Sequence, residues 1–326
     1  MTAFARALGA TILAALTVAA PAARAQAVYG IGVTQAGSLL YAGGAGIIKV
    51  FDEKLKLNAR LQPYAGSSTY APLLGRNELE FGLINVDDAV TAYKGVDNYE
   101  GKPNPTLRIL CVLFPLPFGV LVPADSPVKT MADLKGMRMP SQYVGMSTGR
   151  RLQDTVLASV GLSTADMKGV PVANLFQGVD AMAQGRVDAA AIGPGTAQVQ
   201  VAHATLASRG GVRYLSVDDS PEGVARMKQQ MAMRVITMNP APHLPGIVAP
   251  TKVMAYSMFF MTNDKLPDQL AYDVVKAMHD NKALMVPSHP VLQGFDPDRM
   301  SEQSETPFHE GAIRYYREIG QWPPKD

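Results

Sequence analysis

The sequence has few of the residues that cross-link exported proteins or form reactive thiolates. It contains a single cysteine, Cys111, which lies in the apolar stretch LRILCVLF. One thiol cannot form an intrachain disulfide, and a catalytic cysteine needs a basic, partly exposed setting that this stretch does not supply. We therefore expect Cys111 to be a buried structural residue.

The sequence also lacks an excess of charge of either sign. It has 30 Lys and Arg residues against 28 Asp and Glu residues. Removal of the first 25 residues would take away Arg6 and Arg24 and leave 28 of each, so the net charge would be close to zero. Because nucleic-acid binding relies on a basic patch or stripe, we expect no nucleic-acid partner.

No complete metal-binding or cofactor motif is present. The stretch FHEGAIRYYREIG opens with His309 and Glu310, like the helical zinc-protease motif, but Ile313 stands where the second histidine is needed. The stretch GIGVTQAG has Gln35 in place of the third glycine of the dinucleotide-binding motif. We therefore expect neither a metal ion nor a cofactor.

The adjacent Asp87 and Asp88 are the remaining candidates for acid–base chemistry. Neighbouring side chains on one chain rarely face the same target, and Asp87 is more simply interpreted as the cap of the helix that follows it. We therefore predict no catalytic residue and no enzymatic activity.

The chain begins with the features of a secretory signal peptide. Arg6 supplies a small positive region, residues 8–20 are apolar, and Ala23-Arg24-Ala25 has the pattern of a cleavage site. The apolar region is shorter than the roughly 20 residues that span a membrane, although an uncleaved anchor remains the alternative. We predict that residues 1–25 are removed and that the mature protein is in the periplasm.

The rest of the chain alternates between strand-like and helix-like segments. This alternation predicts an α/β protein with a parallel sheet covered on both faces. It occurs in two blocks, which are joined by the long extended segments Leu107–Val122 and Thr251–Thr262. About 300 mature residues exceed what one hydrophobic core usually holds, so we expect two lobes, a hinge and a ligand cleft between the lobes.

The C-terminal stretch FHEGAIRYYREIG is interpreted as an amphipathic helix, since its apolar residues recur at helical spacing. Thr306 is the predicted N-cap, and Pro307 suits the first turn. Gly320 is expected to end the helix.

Three predicted helix N-termini are rich in small hydroxyl residues, and they lie at Gly37-Ser38, Gly66-Ser67-Ser68-Thr69 and Ser147-Thr148. The first turn of a helix presents unpaired N–H groups and a partial positive charge. With hydroxyl groups added, such a terminus can bind a carboxylate. Ordinary N-capping is the alternative for each one.

The C-terminal stretch also carries a resemblance to a known family. It is similar to the signature H-x-G-A-x-R-Y-Y-x-E-x-G of the TAXI family of exported solute-binding proteins, the receptors of one class of TRAP transporter. The stretches DSPVKTMADLKGMRM and QGRVDAAAIG resemble the family less specifically. The resemblance implies a type II periplasmic binding protein fold with a two-strand hinge, and we expect residues 26–117 and 256–326 in one lobe and residues 118–255 in the other.

The family's ligand loops can be placed on this sequence. Its Gly-rich turn falls on Thr34 to Gly43, its Gly-Gly-Ser loop on Ala65-Gly66-Ser67, and the polar strand end on Asn85. Tyr70 stands at the position of a usual asparagine. Together with the helix N-termini, this gives the expected ligand-binding residues Thr34, Gly37, Ser38, Ser67, Ser68, Tyr70, Asn85, Met146, Ser147, Thr148 and Leu244.

Several polar positions of the family are apolar here, among them Leu39, Leu40, Met146 and Leu244. A ligand group left without hydrogen bonds costs about 1–3 kcal/mol. The resemblance therefore implies a monomeric receptor that captures a small organic acid with a less polar remainder and delivers it to a TRAP-type membrane permease. An exported enzyme or a precursor-binding protein on the same fold is the alternative.

Overall fold

The computed structural model describes residues 28–324. The predicted signal peptide lies outside the described residues. The strands are β1 Val28–Thr34, β2 Asn58–Tyr64, β3 Phe81–Asn85, β4 Leu107–Pro123, β5 Arg138–Ser141, β6 Lys168–Pro171, β7 Ala190–Ile192, β8 Val212–Leu215, β9 Arg234–Met238 and β10 Thr251–Asn263. The helices are α1 Leu39–Val50, α2 Ser67–Gly75, α3 Val86–Lys94, α4 Thr148–Ala158, α5 Leu175–Ala183, α6 Ala197–Thr205, α7 Pro221–Gln230, α8 Asp268–Asp280, α9 Lys282–Met285 and α10 Glu310–Glu318.

The central sheet is mixed, whereas the alternation of elements predicted a parallel one. Strand β1 pairs in parallel with β2 and β3, but β10 runs antiparallel to both β3 and β4. The prediction of an entirely parallel sheet was wrong because the two long strands are not part of a β-α-β repeat. They cross between the lobes in opposite directions.

The two long strands β4 and β10 join the lobes, as the extended segments predicted. Strand β4 pairs with β10 over Leu107–Phe118 and then with β7 and β8 over Gly119–Pro123. Strand β10 pairs with β9 at its start and with β3 farther along. We call β1–β3 with their packed helices the first lobe, and β5–β8 with theirs the second lobe.

The sheet is covered on its faces by apolar side chains of the helices. Phe81 of β3 packs against Phe51 and Phe260, with ring centroids 5.4 Å and 5.2 Å away. Cys111 of β4 is fully buried, which confirms its structural interpretation. Burial raises the pKa of its thiol above the usual range, so the thiolate is disfavoured.

The C-terminal helix α10 begins later than predicted. Its N-cap is His309, whose Nδ1 accepts a hydrogen bond from the Gly311 N–H at 3.2 Å. Thr306 is buried outside the helix, and its hydroxyl donates to the Ala89 carbonyl at 2.9 Å. The prediction of Thr306 as the cap was wrong because imidazole, which rarely caps helices, performs that role here.

Candidate ligand site between the lobes

A cavity of about 60 Å³ lies between the lobes at the carboxyl ends of β1 and β3. This edge of an α/β sheet is the usual position of a ligand. The polar lining residues are Thr34, Ser38, Ser67, Asn85 and Thr196. Most of the remaining lining is apolar and comes from Leu39, Leu40, Leu116, Pro117, Phe118, Met146, Leu152, Leu175, Phe176, Ile192, Tyr256 and Met258.

The cavity is small because the lobes are closed. Ligand pockets commonly enclose about 300–1,000 Å³, several times the volume found here. The backbone N–H of Ala197 in the second lobe donates to the Gly37 carbonyl of the first lobe at 3.0 Å. Gly37 has φ +84°, and a Cβ at this position would lie 2.9 Å from Ala197 Cβ, so both the turn and the lobe contact require glycine here.

Ser38 places a hydroxyl group at the start of α1. Its Oγ accepts hydrogen bonds from the Tyr41 N–H at 3.0 Å and from Thr34 Oγ1 at 2.7 Å. This is an ordinary N-cap, as the sequence allowed, and it also faces the cavity. Because a helix leaves its first N–H groups without intrahelical partners, the start of α1 places N–H donors near the cavity that Ser38, Leu39 and Leu40 line.

Thr196 places a second hydroxyl group in the cavity, from the opposite lobe. It stands at the N-cap position of α6, but its side chain makes no capping bond. The side chain is buried, and Oγ1 has no hydrogen-bond partner among the described residues. Sequence reasoning missed this residue, although Gly193-Pro194-Gly195-Thr196 follows a strand and opens a helix, like the loops that were selected.

Asp88 of α3 accepts hydrogen bonds from several polar side chains near the cavity. Its carboxylate is fully buried, and it accepts hydrogen bonds from Ser67 Oγ at 2.5 Å and Asn85 Nδ2 at 2.9 Å. Thr148 Oγ1 donates to it at 2.7 Å, and Tyr99 OH at 3.1 Å. Four side chains therefore donate to one internal carboxylate.

Opposing effects act on the ionisation of Asp88. Burial, the larger effect, raises the pKa of this carboxyl group. The hydrogen bonds from Ser67, Thr148, Asn85 and Tyr99 favour the charged form and lower the pKa. The net direction is upward.

Asp87 is not the helix cap that the sequence suggested. The cap of α3 is Asn85, whose side chain accepts from the Asp88 N–H at 2.9 Å. Asp87 instead faces the second lobe, where Arg151 Nε lies 2.9 Å from its Oδ1. Burial raises the pKa of Asp87 to about 7, although Arg151 opposes this shift.

Arg151 makes two further contacts, one across the cleft and one within its own lobe. Its guanidinium donates to Asp97 Oδ2 at 2.6 Å in the first lobe and to the Gln230 carbonyl at 2.7 Å in the second. The lobes are therefore joined by an ion-pair cluster beside the Asp88 hydrogen bonds.

The structure brings part of the predicted ligand set to the cavity. Thr34, Ser38, Ser67, Asn85 and Met146 line it.

Other predicted residues lie elsewhere. Gly37 contributes its carbonyl to the lobe contact, and Thr148 is bound to Asp88. Tyr70 is fully buried in the core, where its hydroxyl donates to the Leu83 carbonyl. The remaining three lie outside the cavity lining: Ser147 is exposed, whereas Ser68 and Leu244 are half-buried.

Two kinds of feature are absent from residues 28–324. No group of three or more His, Cys, Asp or Glu side chains in this range could hold a metal ion. No helix in the same range is long and apolar enough to cross a membrane.

Residues 31–320 match the NMT1-like family. The chain belongs to this family. The match includes the cavity and both long strands, so family membership applies to the whole two-lobed unit.

Solved structures with the same fold are distant in sequence. A protein described as a periplasmic transporter is 13% identical, with a TM-score of 0.55 and coverage of 90% of this chain and 93% of that chain. PhnD1 from Prochlorococcus marinus (MIT 9301), in complex with methylphosphonate, is 10% identical, with a TM-score of 0.53 and coverage of 90% and 98%.

The alkanesulfonate-binding protein SsuA from Xanthomonas axonopodis pv. citri, bound to MOPS, is 18% identical, with a TM-score of 0.49 and coverage of 90% and 91%. None of the three is described as an enzyme. The matches of PhnD1 and the periplasmic transporter confirm the predicted α/β fold of a two-lobed periplasmic binding protein.

Proposed function

We propose that this chain is an exported receptor that binds a small organic acid between its lobes and delivers it to a TRAP-type membrane permease. The receptor function is supported by the fold and by the family. The choice of an organic acid rests on the geometry of the cavity, and the choice of permease rests on the C-terminal signature.

The unpartnered hydroxyl of Thr196 is the observation that carries the proposal. A buried hydroxyl group without a hydrogen bond costs about 1–3 kcal/mol, so its presence suggests a partner that arrives from outside. It stands at the N-terminus of α6, while Ser38 stands at the N-terminus of α1, and both line the same cavity. Two helix N-termini with hydroxyl groups favour an anion between them.

The rest of the lining supports an acid with an apolar remainder. Leu39, Leu116, Phe118, Phe176 and Met258 surround the same space and offer no hydrogen bonds from their side chains. Burial of apolar ligand surface against such groups stabilises a complex by about 25 cal/mol per Å². Saturated short-chain monocarboxylates fit this combination.

The assignment of lobes follows the strand pairing. The partners of β4 change between Phe118 and Gly119, and those of β10 change between Ala255 and Met258. These changes support a division into residues 26–117 with 256–326 and residues 118–255. The proposed protein is a monomer, and its export depends on cleavage of residues 1–25.

Calorimetric titration of the mature protein with butyrate and with hexanoate tests this function. Thr196→Val keeps the shape of the side chain and removes the hydroxyl group. We expect it to weaken binding about 10- to 100-fold, the effect of losing one hydrogen bond to a charged group. The melting temperature should not fall, because the hydroxyl group has no partner in the ligand-free protein.

Thr155→Val is the matched control. The hydroxyl of Thr155 is buried in α4 and donates to the Arg151 carbonyl of its own helix at 2.8 Å. This variant should lose stability without losing affinity. If wild-type protein binds neither acid, or if both variants bind equally well, the proposed carboxylate site is incorrect.

A further inference from the structure

Asp88 is a fully buried acidic residue whose carboxyl group lies beside the cavity lining. Ser67, at the start of α2, and Asn85, at the end of β3, are two polar first-lobe residues beside it. Both line the cavity, and both donate to Asp88 Oδ2. Their hydrogen bonds are therefore already made within the protein.

The second lobe contributes to the same arrangement. Thr148, the first residue of α4, is fully buried, and its hydroxyl donates to both oxygens of Asp88, at 2.7 Å and 2.9 Å. In a closed binding protein, the ligand is normally the group that both lobes bind. Here a side chain of the protein makes these bonds.

The cavity lining contains two chemically different groups of polar side chains. Ser38 and Thr196 offer hydroxyl groups at helix N-termini. Ser67 and Asn85 already donate to Asp88, so a second anionic group beside them would find these side-chain donors occupied and would lie close to a carboxyl group. Like charges brought together in a desolvated site repel strongly.

We propose that Asp88 determines the ligand class: it occupies the donors that would hold a second carboxylate and so restricts the cleft to monocarboxylates. This inference rests on the proposed function and refines it, since it separates monocarboxylates from dicarboxylates. Asp88 acts through Ser67, Asn85 and Thr148 and does not itself contact the ligand.

The test compares butyrate with succinate, which have the same number of carbon atoms and differ in the second carboxylate. Wild-type protein should bind butyrate more tightly. Asp88→Ala frees the three donors and removes the charge, so the ratio of the two dissociation constants should shift toward succinate by at least about tenfold. An unchanged ratio in this variant would overturn the proposal.

Acetate supplies a second readout that does not depend on the natural ligand. In Asp88→Ala, acetate should fill the vacated position, and the rise in melting temperature on adding acetate should exceed that of the wild type. This outcome would support the role of Asp88 even if wild-type protein bound no organic acid. Equal acetate effects in a folded Asp88→Ala protein would contradict it even if butyrate binding were confirmed.

Asp88→Asn provides a second test in case Asp88→Ala does not fold. It keeps the volume of the side chain and one accepting oxygen, while it removes the negative charge. The selectivity ratio should move in the same direction as in Asp88→Ala, by a smaller factor. A ratio equal to that of the wild type in folded Asp88→Asn would count against the proposal on its own.

Discussion

Thr148 and Asp88 join the two lobes through a hydrogen bond of 2.7 Å across the closed cleft. Neither side chain is accessible to solvent, and each belongs to a different lobe. The lobes are thus held together by groups of the protein itself while the cavity between them remains small. Opening the cleft must break this bond and the adjacent contacts of Arg151 with Asp87 and Asp97.

Thr148→Val should shift the ligand-free protein toward an open form. The substitution keeps the shape of the side chain and removes the donor to Asp88, which leaves a buried carboxylate with one partner fewer. Such a loss costs about 1–3 kcal/mol, enough to change a balance between closed and open forms by about 5- to 150-fold. Small-angle scattering should give a larger radius of gyration than for wild-type protein.

Thr155→Val is the control for this experiment, since it removes a hydroxyl group from the same helix without touching the other lobe. Its radius of gyration should equal that of the wild type. The same radius in Thr148→Val as in Thr155→Val would show that the Asp88 contact does not hold the lobes together.

Closure should become more favourable as the pH falls. Burial in the closed form raises the pKa of Asp87 to about 7, whereas an exposed aspartate has a pKa of about 3.9. Between these values the closed form binds more protons than an open form, so acid favours closure and the advantage is lost as pH rises toward 7. Arg151, Asp88 and Asp97 are the charged groups that influence this pKa.

Scattering at pH 5 and pH 8 measures the effect directly. The radius of gyration should be smaller at pH 5, and Asp87→Asn should reduce the difference. A more compact protein at pH 8 would instead mean that the ion pair with Arg151 dominates over the burial of Asp87.

His309 should contribute to stability and not to ligand binding. Its imidazole caps α10, and Nε2 lies 3.0 Å from the Leu266 carbonyl. His309→Ala should lower the free energy of unfolding by about 1–2 kcal/mol, as expected for loss of a buried cap. His309→Asn, which can cap the helix again, should recover part of this loss in denaturant titrations. An altered affinity for organic acids in folded His309→Ala would argue against a purely structural role.

Export should produce a mature protein that begins at Gln26. The apolar region and the Ala23-Arg24-Ala25 pattern motivate this prediction. N-terminal sequencing of protein recovered from the periplasm gives the answer, and an intact Met1 would be inconsistent with it.

The fold could be predicted further than the site. Strand and helix patterns are local, so the α/β alternation and the long strands β4 and β10 were recognisable from residue types alone. The mixed direction of the sheet was not, because strand direction depends on how β10 returns beside β3, which lies far away in sequence.

The site depended on side-chain directions that a single sequence does not contain. Ser147 and Thr148 are neighbours with similar chemistry, yet the first is exposed and the second is fully buried. Asp88 looked like half of an acidic pair, and only the approach of Ser67 and Thr148 from other segments reveals its role. Thr196 showed the same loop pattern as the selected residues and could have been found.

A crystal structure of the protein with bound butyrate tests the central claim most directly. We predict a carboxylate within hydrogen-bond distance, about 2.5–3.0 Å, of both Thr196 Oγ1 and Ser38 Oγ, with Asp88 still bound to Ser67 and Thr148. A carboxylate bound instead by Ser67, Asn85 and Thr148, with Asp88 displaced, would contradict it.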